Sequence, residues 1–251
     1  MAGEIRIGIG GWTFEPWRGV FYPPGLVQKK ELHFASRALN SIEINGTYYS
    51  TFKEASWCNW RDETPDDFVF SVKASRYVTN RKDLTTAGEA VDRFLGQGLT
   101  ALGTKLGPIN WQFMGTKKFD GDEMAGFLKL LPRERDGVVL RHAIEARHES
   151  FRSEEFSDLV RKQGIAVVLD HGSDFPEIDI DSAPFRFARF MATSESEDSG
   201  VTDPELKALT KRVKGWAKTR DVFAYFISGA KVRNPAAAKA LLVATGVTPG
   251  N

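Results

Sequence analysis

Short runs of alternating apolar and polar residues recur along this chain, and each run reads as a strand. Ile5, Ile7 and Ile9 interleave with Arg6, Gly8 and Gly10, the period of two that sends successive side chains to opposite faces. Ile42 and Ile44 share one face of the next run; Ser41, Glu43 and Asn45 share the other. Residues 68–73 set Phe68, Phe70 and Val72 against Ser71 and Lys73. Residues 108–113 put Asn110 and Gln112 on one face, and residues 143–148 do the same for Glu145 and Arg147. Residues 165–170 are apolar up to Asp170, as in a strand covered on both sides. Residues 185–190, with Arg186 and Arg189, and 222–228, with Tyr225 and Ser228, complete eight strands.

Between the strands the spacing turns helical. Leu32, Ala35 and Leu39 lie on one face of residues 31–39, and helices are predicted over 55–61, 86–102, 120–131, 153–163, 203–218 and 234–245. Asp120 and Ser153 stand at cap positions, Gly164 closes one helix, and Pro204 sits in the first turn of another. The link after the sixth strand is poorly helical. This alternation predicts an α/β fold, a single (β/α)8 TIM-type barrel over residues 1–251. Residues 13–28 form a long aromatic loop, and the polar, acidic stretch 193–200 reads as a mobile one.

Composition removes several function classes. At 41% hydrophobic residues the chain can build a sizeable core, and a net charge of +1 argues against an electrostatic grip on nucleic acid. Cys58 is the only cysteine, which excludes an internal disulfide and a CxxC zinc site. It reads as a buried, inert thiol. No basic stretch leads into an apolar one at the N-terminus, and no apolar run is long enough to cross a membrane, so a cytoplasmic setting is expected. No GxSxG elbow, Walker loop or GxGxxG follows a strand, and no cofactor is expected.

In barrels of this kind, sites form at the C-terminal ends of the strands. The inner-face residues there include Glu43 and Glu145, a natural pair for proton transfer or glycosidic acid/base work. Lys73, Arg147 and Arg189 would bind negative charge, with register deciding between Arg189 and Arg186. Asn45, Gln112 and Tyr48 would orient a substrate, and Ser228 ends the eighth strand. Trp12, with Trp17, Tyr22, Tyr48 and Tyr49, would offer a stacking wall. The opposing reading is an inner ion-pair layer that fills space, Glu43 neutralised by Lys73 and Glu145 by Arg147, with the rings serving as the small core of the first loop. Residues 228–234, with Lys231 and Arg233 ahead of the last helix, are a candidate phosphate loop. His148 and His171 with Glu145 and Asp170 are a candidate metal set. His142 begins its strand, at the wrong end. No tight ligand spacing supports the set, and no metal is assigned.

Taken in order, Ile9-Gly-Gly-Trp12, Phe21-Tyr-Pro23, Ile42-Glu-Ile-Asn45, Tyr48-Tyr49, Thr64-Pro65, residues 68–73, Lys105-Leu-Gly-Pro108 and Glu145-Ala-Arg-His148 resemble the DUF72 (YecE-like) family over nearly the whole chain. The resemblance implies a TIM-type barrel and supplies candidate residues without a reaction. The chain departs from the family pattern at three strand ends. Thr79-Asn80 stands where Thr-His is common, Arg189-Phe-Met-Ala192 where Arg-Leu-His-Gly is common, and Phe226-Ile-Ser228 where Phe-Asn-Asn is common. Two imidazoles are therefore absent. Three function classes stay open: an enzyme acting on a small polar or anionic molecule, sugar-like or phosphorylated; a non-catalytic barrel binding such a small-molecule ligand; and a metal-dependent phosphoesterase or nuclease. The oligomeric state is left open.

Overall fold

The computed structural model describes residues 2–249. In chain order the elements are β1 (Ile5–Gly10), α1 (Glu31–Ala38), β2 (Ser41–Ile44), α2 (Glu54–Glu63), β3 (Val69–Lys73), α3 (Arg76–Thr79), α4 (Gly88–Leu95), β4 (Leu106–Gln112) and α5 (Gly121–Lys129). They continue with β5 (Glu134–Arg135), β6 (Val138–Val139), β7 (His142–Glu145), α6 (Glu154–Gln163), β8 (Ala166–His171), β9 (Phe185–Phe190), α7 (Asp203–Ala217), β10 (Asp221–Phe226) and α8 (Asn234–Thr245). Eight strands pair in parallel in the order β1-β10-β9-β8-β7-β4-β3-β2, and β2 returns to β1 to close a barrel. The expected (β/α)8 architecture is the one observed. Among the described residues no helix is long and apolar enough to cross a membrane.

Two faces of the barrel wall carry different chemistry. Outward side chains such as Ile7, Ile9, Ile42, Phe70 and Ile144 join the helices in the main apolar core. Inside, the lower part of the barrel is filled by Val69, Ala143, Ala166, Phe185, Phe187 and Phe223, a packed interior and not a pore. Tyr225 ends this apolar floor. Its hydroxyl lies 2.7 Å from Ser41 Oγ and 2.6 Å from Ser71 Oγ, and burial pushes its pKa up. Above Tyr225 the inner face becomes polar and charged.

Local departures from expectation have local causes. The helix expected over 86–102 stops at Leu95, because Gly96 and Gly98 interrupt it and a 3-10 segment, Leu99–Lys105, follows. The hairpin β5–β6 was not expected. Asp136 and Gly137 both take positive φ, 52° and 76°, the two-residue turn that Asp-Gly favours. β4 carries Pro108 in its interior, and the β3–β4 register shifts between Phe70 and Val72; such a bulge lets a strand hold a residue without an N–H. Residues 193–200 are tied down by a bond from Ser194 N to Gly200 O of 2.8 Å and by an Arg233–Asp198 pair at 3.3 Å.

Among the described residues no helix joins β8 to β9. Its place is taken by an extended segment whose acids alternate with isoleucines: Glu177, Ile178, Asp179, Ile180, Asp181. Arg212 on α7 pairs with Glu177 at 2.6 Å and Asp179 at 3.3 Å. Arg186 also pairs with Asp179, and Arg220 with Asp181.

Candidate functional site

The polar layer at the C-terminal mouth is built from six strands. Strand alternation sends Glu43 (β2), Lys73 (β3), Asn110 and Gln112 (β4), Glu145 (β7), Asp170 (β8) and Arg189 (β9) to the inner side. The Asp170–Arg189 and Arg189–Tyr225 registers fix the parity of β9. This settles which arginine enters. Arg189 is inward and buried; Arg186 points out, over the Trp216 ring at 5.0 Å.

Arg189 is the hinge of the cluster. Its Nη1 donates to Glu145 Oε1 and Oε2 at 2.9 and 3.0 Å, and its Nη2 to Glu43 Oε2 at 3.1 Å. Asn110 Nδ2 also spans both carboxylates, at 3.2 Å from Glu43 Oε1 and 2.7 Å from Glu145 Oε2. Gln112 and Arg147 donate to Glu145 Oε1, Arg147 Nε at 2.7 Å. Glu43 and Glu145 are fully buried. Burial alone would raise the Glu145 pKa, but Arg189, Arg147 and Lys73 outweigh it and hold the carboxylate well below the usual range. Glu145 and Glu43 in turn keep Arg189 protonated against its own burial.

Asp170 has the opposite fate. Burial and the neighbouring Glu145 charge raise its pKa well above that of an ordinary carboxylate. Arg147 Nε comes no closer than 3.6 Å, and neither carboxyl oxygen has a hydrogen-bond partner among the described residues. Asn110 Oδ1, Arg189 Nε and Asn45 Oδ1 are likewise buried without partners. Polar atoms left bare in a protein interior are costly and ask for a ligand or water.

Lys73 does not neutralise Glu43, contrary to the ion-pair expectation. Its Nζ lies over the Tyr48 ring, 4.6 Å from the centroid. Burial lowers its pKa to about 8, with Arg189 adding to that and Glu145 and Glu43 opposing it. The pairing of Glu145 with Arg147 is as expected, at 2.5 Å. Tyr48 is held by Asn80, whose Nδ2 lies 3.2 Å from the hydroxyl. Asn80 lines a cleft of 420 Å³ on the rim that also carries Arg81, Lys82, Lys117 and Lys118.

Other expected site residues lie elsewhere. Trp12 follows Gly11, whose φ of +71° turns the chain away from the strand. The indole packs edge-on against Trp60 at 5.2 Å and the outward Phe70 at 6.2 Å, and so belongs to the layer between barrel and helices. Trp17 and Tyr22 are buried against Phe14, Phe21 and Phe34 as the small core of the first loop. Only Tyr48 and Tyr49 remain at the mouth. β10 ends at Phe226, and Ser228 is exposed on a left-handed turn with φ of 63°. Lys231 lies on the Phe14 ring at 4.1 Å, and Arg233 is paired, so the expected phosphate loop has its two cations engaged.

The histidines are also dispersed. His142 accepts from Trp111 Nε1 at 3.1 Å, outside the barrel, and burial lowers its pKa to about 4. His148 caps a short 3-10 turn through Ser150 N at 3.1 Å. His171 faces outward and meets Glu177 at 2.7 Å. Among the described residues no group of three His, Cys, Asp or Glu side chains is arranged to hold a metal. Cys58 is free and half-buried, not enclosed as expected. The reading of the sequence left Asn110 out of the candidate site and took Asp170 as the end of the sixth strand and a candidate metal ligand, without an acid/base role. The alternation that marks Glu43 also marks Asn110; the strand of Asp170 is apolar on both faces and carries no such signal.

The family model described as "Protein of unknown function DUF72" matches residues 6–250. The UPF0759 protein YecE of Escherichia coli K12 is 26% identical over 188 residues, which is 74% of this chain and 62% of the relative. The chain thus spans less than two thirds of that relative's length. A crystal structure of a DUF72 family protein from Thermotoga maritima is similar with a TM-score of 0.73 at 24% identity, covering 94% of this chain and 96% of that one. One from Enterococcus faecalis gives 0.72 at 16% identity, covering 97% and 96%. These structural likenesses carry the fold.

Proposed function

The chain belongs to the DUF72 family, and on that premise we propose a function from its own side chains: an enzyme that binds a small anionic molecule at the barrel mouth and moves a proton on it. The observation that carries this reading is the set of bare polar atoms on Asn45, Asn110, Asp170 and Arg189, beside two cations that face the opening. Lys73 and Arg147 are half-buried, whereas the Glu43–Arg189–Glu145 layer beneath them is sealed. An anion entering the mouth therefore meets Lys73 and Arg147 first. The basic cleft beside Tyr48 and Asn80 gives room for a further negative group.

On this geometry the acid/base roles move. Glu145 accepts from Arg189, Arg147, Asn110 and Gln112 and stays ionised, which suits a framework that sets charge better than a group that exchanges protons. Glu43 shares that framework. Two neighbours whose environments push them toward the other protonation state are the natural exchangers. Asp170 keeps its proton and serves as the acid. Lys73, with a pKa of about 8, loses its proton readily and serves as the base. Asn45, Gln112 and Tyr48 line the approach.

A thermal-shift panel of organic acids, sugar phosphates and neutral sugars tests this. An anion present at 100 times its Kd adds about 2.7 kcal/mol, roughly 5–10 °C in a chain of this size. The shift is expected for the wild type and lost in Lys73→Met and Arg147→Met. Stabilisation by neutral sugars alone, or by none of the panel, refutes the anion reading. Stabilisation without turnover returns the chain to the non-catalytic binding class.

A further inference from the structure

Lys73 differs from the other cations of the mouth. Arg189 is spent on Glu43 and Glu145, and Arg147 already holds Glu145 through Nε and Nη2. Among the described residues the Lys73 amine makes no ion pair and no hydrogen bond, and it rests on the Tyr48 ring at 4.6 Å. Its base is rigid. Thr47 Oγ1 bonds the Lys73 carbonyl at 2.6 Å, and the next residue, Ala74, is tied through its N–H to Asn110 O at 2.8 Å. The amine is thus anchored at its base, open at its tip, and left without the carboxylate that would hold it charged.

We propose that Lys73 is a covalent site, whose amine condenses with the carbonyl carbon of a small anionic aldehyde or ketone such as a 2-oxo acid. The inference rests on the anion reading above, names its substrate class, and makes Lys73 the nucleophile in place of the base. The nitrogen lone pair forms the C–N bond, and the carbonyl C–O bond breaks. The two protons that the ammonium nitrogen loses leave with that oxygen as water, and a protonated imine remains. No oxidant or reductant is needed. The charges around the amine suit each stage. Burial leaves about a tenth of the lysine neutral at pH 7, enough for attack. The Tyr48 face favours the cationic imine that follows. Arg147, near enough to act on the lysine's charge, receives the ligand's carboxylate.

Reductive trapping tests the proposal on the full chain. Protein is incubated with glyoxylate or pyruvate and reduced with sodium borohydride, and the intact mass and peptide map are read. One adduct per chain is expected on the Lys73 peptide, formed roughly tenfold or more faster than on any other lysine, because burial favours its neutral amine and Arg147 gathers the acid beside it. Lys73→Arg, which keeps the charge, is expected to fold and to lose that adduct. Labelling equal in the wild type and Lys73→Arg, or spread evenly over surface lysines, overturns the proposal. Thermal shifts by the same two acids are recorded in parallel. Stabilisation without an adduct overturns the covalent step alone, whereas neither stabilisation nor adduct overturns the whole assignment of a 2-oxo acid to Lys73, and the wider panel decides the anion reading separately.

Discussion

Replacing Arg189 with Met removes the one cation shared by two fully buried carboxylates. Its guanidinium makes three hydrogen bonds of 2.9, 3.0 and 3.1 Å. After the change Glu43 keeps only Asn110, while Glu145 keeps Asn110, Gln112 and Arg147. Leaving a buried charge uncompensated costs about 3–5 kcal/mol. The methionine fills most of the space, so the charge effect dominates any cavity. At about 2–4 °C per kcal/mol for a chain of this length, the melting temperature is expected to fall by roughly 6–20 °C at pH 7.5. The direction with pH follows from linkage. In the wild type Glu145 titrates below its unfolded value, so its stabilisation is present above about pH 4.3 and lost as pH falls through the folded value. In the variant the desolvated Glu145 carboxylate has lost its strongest cation, and its penalty fades as pH drops toward 4. The gap between the two proteins therefore closes in acid. A triple change of Glu43→Gln, Glu145→Gln and Arg189→Met is expected to recover most of the loss. Differential scanning calorimetry across pH 4–8 reads all three proteins. A variant that melts within about 2 °C of the wild type at pH 7.5, or a gap that ignores pH, refutes the buried ion cluster.

Two further outcomes follow from single groups. Asp170→Asn is expected to stabilise the protein at pH 8 and to match it near pH 3.5. The raised folded pKa means that wild-type stability falls as pH rises from the unfolded value through the folded one; a destabilised variant at pH 8 would show Asp170 ionised and paired. His142 is buried and neutral, with its pKa lowered to about 4, so its contribution is full above about pH 6.5 and lost between there and pH 4, about 3 kcal/mol in all. An imidazole NMR titration with a midpoint at 6 or above would overturn that assignment.

Much of the mouth was legible because a strand's period of two needs no tertiary information. Glu43, Lys73, Glu145 and Gln112 each lay on a run with one polar face. Arg186 and Arg189 were not separable, since Phe185, Phe187 and Phe190 make both faces of β9 apolar; only pairing with Asp170 and Tyr225 fixes the parity. Trp12 and Ser228 were misplaced for one reason. Each lies just past a strand end, where a left-handed residue breaks the alternation. Partner choice was out of reach as well. Three cations and two carboxylates allow several pairings, and the distances across the barrel decide that Arg189 bridges while Lys73 turns to a ring. The Asp136-Gly137 turn, by contrast, is legible from its dipeptide alone.

The extended segment between β8 and β9 gives the barrel wall an uneven response to its surroundings. Six of the seven connections between the barrel strands, and α8 after the last strand, cover the wall with a helix, whose grip is apolar and indifferent to salt. The remaining connection, β8 to β9, covers it with Glu177, Asp179 and Asp181 laid against Arg212, Arg186 and Arg220, and partly exposed pairs of this kind are screened by dissolved ions. Ionic strength thus acts on one seam of an otherwise uniform cylinder. The seam runs from His171, next to Asp170, to the outward Arg186 on β9, so a change in the salt around the protein acts on the outside of the wall between the two strands that carry Asp170 and Arg189.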